Sequence, residues 1–166
     1  MKFSRLLLYI LFIILSSCNV NTPKKVHTPI LGEPLNKTPL FAEMQIENTV
    51  KIGRPLILKF TVHNPAGNAQ KFCKWHTPFE PLMSKYLEIK DENGVEMMYR
   101  GAMAKRIMPP PESSHIRLGE KDSISATVDL LKAFEITNPS RYTVSYTGQD
   151  MSGVVVKKSV VFDYVR

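Results

Sequence analysis

The stretch from Leu56 to His63, "LILKFTVH", decides the fold. Leu56, Leu58, Phe60 and Val62 alternate with Ile57, Lys59, Thr61 and His63. A period of two places one set of side chains on one face of an extended chain, so this is a strand with one buried face. "NPAGN" follows as a turn into Ala69–Trp75. Further on, Tyr86–Lys90 and Val95–Tyr99 flank "DENG", whose Asn-Gly tip is a hairpin signal. Ile124, Ala126, Val128 and Leu130 alternate, as do Tyr142, Val144 and Tyr146. Gly148 to Gly153 makes a last turn, and Val154–Tyr164 closes the domain. "LLKAFEI" fits one helical turn at a crossover, and no amphipathic helix is expected elsewhere.

These elements predict an all-β fold, an immunoglobulin-like antiparallel β-sandwich of about seven or eight strands, over 41–166. Trp75 is expected to plug its centre. Tyr142, opening a late strand, has the placement of an immunoglobulin-type tyrosine corner. Cys73 alternates with Trp75 in "FCKWH" and reads as a buried core thiol.

Ahead of the sandwich the composition changes. "MKFSR" is a short positive segment, Leu6 to Leu15 is apolar, and Ser16, Ser17 and Cys18 follow. This is the layout of a secretory signal over 1–17, with an apolar run too short to span a bilayer. Leu15-Ser16-Ser17-Cys18 resembles a bacterial lipobox, which makes Cys18 the lipidation site and the chain a lipoprotein of the cell envelope. Acyl chains contribute about 0.8 kcal/mol per buried CH₂, enough for several to hold a protein firmly. Asn19 after the cysteine, rather than Asp, matches outer-membrane sorting in a Gram-negative cell. From 18 to 40 prolines recur at Pro23, Pro29, Pro34 and Pro39, which predicts an extended tether.

The whole chain carries 22 basic and 15 acidic residues, net +7, which falls to +5 once Lys2 and Arg5 leave with the signal. The bases form only pairs such as Lys24-Lys25 and Lys157-Lys158, read as solvated, and no nucleic-acid partner is expected. His27, His63, His76 and His115 are scattered, so no metal site and no cofactor are expected. Asp129 and Asp150 have no evident acid–base partner, and no His-Glu-x-x-His, Gly-x-Ser-x-Gly, P-loop or dinucleotide turn occurs. Enzymatic activity is therefore not expected.

Four segments in order carry a resemblance: "KWHTPFEP", "NGVEMMYRGAMAKRIMPP", "SISATVDLLKAFEI" and "RYTVSY". Together they resemble the N-terminal β-sandwich prodomain of aspzincin metallopeptidases, the deuterolysin and peptidyl-Lys endopeptidase group, over about Phe41 to Tyr146. In that family the domain occludes the cleft of a zinc protease until activation. This sequence holds no counterpart of the zinc ligands or catalytic Glu. Pro81 also stands where the family's Thr-Pro-x-Glu-Gly turn has Gly.

The resemblance implies a binding role, either inhibition of a zinc metallopeptidase or a scaffold role toward another envelope protein. The segment that would carry it is "YRGAMAKRIMPPP", Tyr99 to Pro111. Gly101 and Ala102 permit close approach, Pro109–Pro111 limit the loop's freedom, and Ala104, Lys105 and Arg106 form the expected protease-binding tip. The family favours Lys beside the scissile bond, so Lys105 is expected in an acidic pocket and Arg106 on its rim. The alternative is a solvated connection whose bases guard a sheet edge.

Overall fold

Alternation from Leu56 onward does produce the central strand of a sheet. The computed structural model describes residues 38–166; the expected signal segment, Cys18 and all but the last three residues of the expected tether lie outside them. Ten strands follow in order: β1 Phe41–Gln45, β2 Thr49–Lys51, β3 Ile57–His63, β4 Gln70–Cys73, β5 Leu87–Lys90, β6 His115–Leu118, β7 Ser123–Asp129, β8 Ser140–Tyr146, β9 Val155–Val156 and β10 Val160–Val165. Eight have four or more residues. They form two four-stranded sheets, β7-β3-β1-β9 and β2-β10-β8-β5, and a two-stranded ribbon, β4-β6. The protein is all-β, and the central pairings are antiparallel. The expectation of a wholly antiparallel sandwich needs one correction: β1–β9 and β2–β10 are short parallel pairings at the edges.

Those parallel pairs arise because two segments change sheets. The chain leaves β1 in the first sheet and joins the second as β2. It then leaves β9 in the first and joins the second as β10. The expected single strand over Val154–Tyr164 is thus two, broken at the exposed Lys157, Lys158 and Ser159. Switching lets Val154 plug one sheet and Phe162 and Tyr164 the other; all three are buried.

The core lies between the sheets. Leu56, Leu58, Phe60 and Val62 are fully buried, and the facing sheet supplies Leu87, Ile89, Tyr142, Val144 and Phe162. Each such side chain is stabilised by about 1.5–3 kcal/mol relative to exposure. Phe162 stands opposite Tyr142 in the ladder and their rings stack at 5.3 Å. Leu40 is buried in the same core, so the folded unit begins before Phe41. Trp75 does not fill the centre. Strand β4 ends at Cys73 and pairs only with β6, so Trp75 falls in the following loop, buried but outside the inter-sheet cluster. Cys73 is buried as expected.

The "DENG" tip forms as read: Asp91 Oδ1 accepts from the N–H of Asn93 and Val95, and Gly94 has φ +80°. Its second arm is not a strand. It makes one bridge to β5, Lys90 to Glu96, and then turns to the crossover, where Tyr99 bridges Phe134. That crossover carries the expected helical turn, a 3₁₀ turn at Leu130–Lys132 in which Asp129 Oδ1 caps the Leu131 N–H. Tyr142 makes the expected corner, its hydroxyl donating to the Asn138 carbonyl at 2.8 Å. Tyr142→Phe removes that bond from a buried site and should cost about 1 kcal/mol in urea unfolding, with the sheet signal in circular dichroism unchanged.

Candidate functional site

The most exposed large apolar side chains among the described residues, Met103, Ile107 and Met108, lie between Tyr99 and Pro111, in a segment fixed at several points. Tyr99 Oη donates to the carbonyls of Leu82 and Ala102 at 3.1 and 2.9 Å. A Cβ on Gly101 would fall 2.4 Å from that hydroxyl and 2.9 Å from the Ala133 Cβ, so the loop starts where only glycine fits. Ala104 N–H then bonds the Met83 carbonyl at 2.7 Å. At the far end Ser114 N–H bonds the Pro111 carbonyl, and Lys74 N–H bonds Ser114.

Between these ties residues alternate. Met103, Lys105 and Ile107 face solvent, whereas Ala104 and Arg106 turn inward. The expectation that Lys105 and Arg106 both point outward is corrected for Arg106. Its Nη2 donates to both Glu80 oxygens at 2.7 and 2.8 Å, and its guanidinium lies 4.6 Å above the Trp75 ring. The pair is well enclosed, with side chains 18% and 7% exposed. Arginine suits this place because its weakly hydrated, planar group both stacks on an aromatic and pairs with a carboxylate. Lys105 is exposed and forms no ion pair among the described residues.

Glu80 is itself held by the loop "KWHTPFEP". Thr77 Oγ1 accepts from Phe79 N–H and donates to the Lys74 carbonyl, and Glu80 N–H reaches the Thr77 carbonyl. The turn therefore closes with Pro81 in place. His76, at φ +60°, donates its N–H to Glu80 Oε1 at 3.1 Å. Its carbonyl accepts from Tyr146 Oη at 3.0 Å, and a Cβ on Gly148 would fall 2.5 Å from that carbonyl oxygen. Three loops thus meet at one end of the sandwich. Glu80 and His76 stand in a segment singled out by resemblance alone; no local pattern marks Glu80 as the partner of a base 26 residues away.

Burial pushes the Tyr146 phenol up to about 12 and lifts Tyr86 further, so both stay protonated at neutral pH; Tyr146 Oη donates to the His76 carbonyl, while Tyr86 Oη has no partner among the described residues. Burial also holds His76 below its ordinary value; Glu80 opposes this and Arg106 adds to it. Among the described residues no group of three or more His, Cys, Asp or Glu is placed to hold a metal.

No protein-family model matches the chain, and no curated protein does. Among solved structures it is similar to an alkylpurine DNA glycosylase from Pseudomonas fluorescens bound to DNA containing an abasic site analog. That match has 12% identity and a TM-score of 0.38, over 77% of this chain and 31% of the other. It is also similar to the CARDB domain of a Pyrococcus furiosus protein in complex with di-metal ions, at 12% identity and a TM-score of 0.34, over 76% of this chain and 87% of that one. The chain spans less than a third of the glycosylase. Likeness at this level says nothing of function.

Two outcomes follow from the cluster. Arg106→Met leaves Glu80 enclosed without its cation and should cost about 3 kcal/mol, while adding Glu80→Gln should recover part of that loss in a urea double-mutant cycle. A His76 pKa lowered in the fold means the unfolded chain binds the extra proton more readily. The stability it contributes is full above pH 6.5 and is lost as pH falls through the folded value. Melting temperature should therefore fall on acidification below pH 6.5, and fall less in His76→Asn, which tolerates the same positive φ.

Proposed function

We propose that this domain is a non-catalytic binding module, lipid-anchored to the cell envelope through Cys18, which inhibits an aspzincin-type zinc metallopeptidase by presenting Lys105. The observation that carries this reading is the clamp on either side of that lysine. Ala104 is tied to Met83, Arg106 is tied to Glu80 and Trp75, and Lys105 stands out between them. A loop ordered before binding loses little entropy on docking. Arg106 is a positioning residue in this scheme, not a contact on the partner's rim. Met103 and Ile107, 72% and 83% exposed, flank the lysine and would cover the mouth of the pocket with apolar surface.

Those apolar side chains also favour a second reading, a scaffold module that binds another envelope protein by its apolar loop whether or not Lys105 is present. Inhibition constants against a Lys-selective aspzincin separate the two. Truncating one side of an inserted charge pair costs about 2–5 kcal/mol, roughly 30-fold to several-thousand-fold in affinity. Lys105→Ala should weaken inhibition by that much with an unchanged melting temperature. Lys157→Ala, on the exposed β9–β10 connection, should leave it unaltered. Equal inhibition by the wild type and Lys105→Ala removes Lys105 as the inhibitory element, and no inhibition by either removes the peptidase reading.

A further inference from the structure

The segment that displays Lys105 leaves its own main chain open. Among the described residues, nothing bonds the N–H or the carbonyl of Met103, Lys105 or Ile107. Their side chains are also the outward ones, with Met103 72% and Ile107 83% exposed. Endopeptidases take hold of a substrate by pairing with unbonded main chain and seating one side chain in a pocket. Lys105 offers both features to an endopeptidase that cuts after Lys.

The bond that such an enzyme would cut joins Lys105 to Arg106, and the fold holds the chain on both sides of it. On the carbonyl side, Ala104 N–H is tied to the Met83 carbonyl at 2.7 Å. On the amine side, Arg106 Nη2 donates to both Glu80 oxygens at 2.7 and 2.8 Å, with its guanidinium 4.6 Å above Trp75. Glu80 is in turn fixed by the His76 N–H. Each end made by a cut is thus anchored within one residue of it. The preceding bond, Ala104–Lys105, lacks this property. Its amine would sit on Lys105, which has no anchor of its own among the described residues.

We infer that Lys105–Arg106 is a reclosable scissile bond: a serine endopeptidase that cuts after Lys cleaves it, and the fold holds both ends until the bond re-forms. The enzyme's serine Oγ adds to the Lys105 carbonyl carbon, and the C–N bond breaks. The serine proton passes to the departing nitrogen, which becomes the α-amine of Arg106, while an ester joins Lys105 to the enzyme. Two nucleophiles then compete for that ester. Water releases the Lys105 carboxylate, whereas the Arg106 amine expels the serine and restores the peptide. Well-oriented intramolecular nucleophiles reach effective molarities of about 10⁵ M or more, so an amine held in place by Glu80 and Trp75 competes well with water. Holding the ends also removes much of the entropy that normally drives a cut chain apart. A loop that is cut and rejoined occupies the enzyme without being consumed. The inference uses the exposure of Lys105 and does not depend on whether a zinc peptidase is its target.

The test incubates the full chain, purified in mild detergent, with a serine endopeptidase that cuts after Lys. The water is enriched in heavy oxygen and held at about pH 8.5, where an ordinary α-amine is largely deprotonated. Acid quenching and peptide mass mapping then read the Lys105–Arg106 bond alone. Cleavage there should stop at a mixture of intact and cut chain, and isolated cut chain should return to the same mixture. Intact chain should also carry heavy oxygen in the Lys105 carbonyl, a label acquired only where water has broken the bond and the amine has remade it. Arg106→Met unties the amine, so its cut should run to completion with no label in the remaining intact chain. Should that variant fail to fold, Glu80→Gln loosens the same anchor and should slow label uptake roughly tenfold. Complete cleavage of the wild type, resistance of this bond without label uptake, or label uptake indifferent to the variants overturns the inference.

Discussion

The fold depends on keeping one row of side chains dry: Leu56, Leu58, Phe60 and Val62. A single sheet buries that row on one side only if a second sheet covers it, so the facing residues of β5, β8 and β10 are required by β3. Closing the flanks of such a sandwich needs chain on both sides. The two strand switches supply it, with β1 and β9 in one sheet continuing as β2 and β10 in the other. Both switches lie at the β9 and β2 ends of the sheets; at the other end of its sheet β7 is left as an outer strand with its apolar side chains half covered.

The end of the sandwich is held by a different means. The loops after β4 and β8 and the segment from Tyr99 to Pro111 share no ladder, and a network of polar contacts around Glu80 takes its place. Arg106, the His76 N–H, the Tyr146 hydroxyl and the tight Gly148 approach fix where each loop lies. An enclosed ion pair is a poor source of net stability compared with apolar packing, but it is directional. That direction decides that Lys105 faces out when its neighbour Arg106 faces in.

Much of the scaffold was legible in the sequence because strand pleating is a local property. The period-two runs at Leu56–His63, Ile124–Leu130 and Tyr142–Tyr146 mark strands and tell which side chains face inward, without knowledge of any partner. The same holds for the Asn-Gly turn, the crossover turn at Leu130–Lys132 and the Tyr142 corner, whose contacts reach at most a few residues along the chain. What the alternation does not contain is the identity of the neighbour. Val95–Tyr99 has strand-like residues but divides its bonds between β5 and the crossover, and Val154–Tyr164 is cut where it changes sheets.

The site was divided in the same way. The sequence by itself determined a stiff, basic, glycine-started loop and the exposure of Lys105. Only the tertiary structure decided that Arg106 turns back, that Trp75 lies beneath it outside the central core, and that Glu80 is its partner. The reason is chain separation. Glu80 and Arg106 stand 26 residues apart, and their meeting is fixed by where two sheets and the intervening hairpin bring the loops, a distance over which no local pattern carries information.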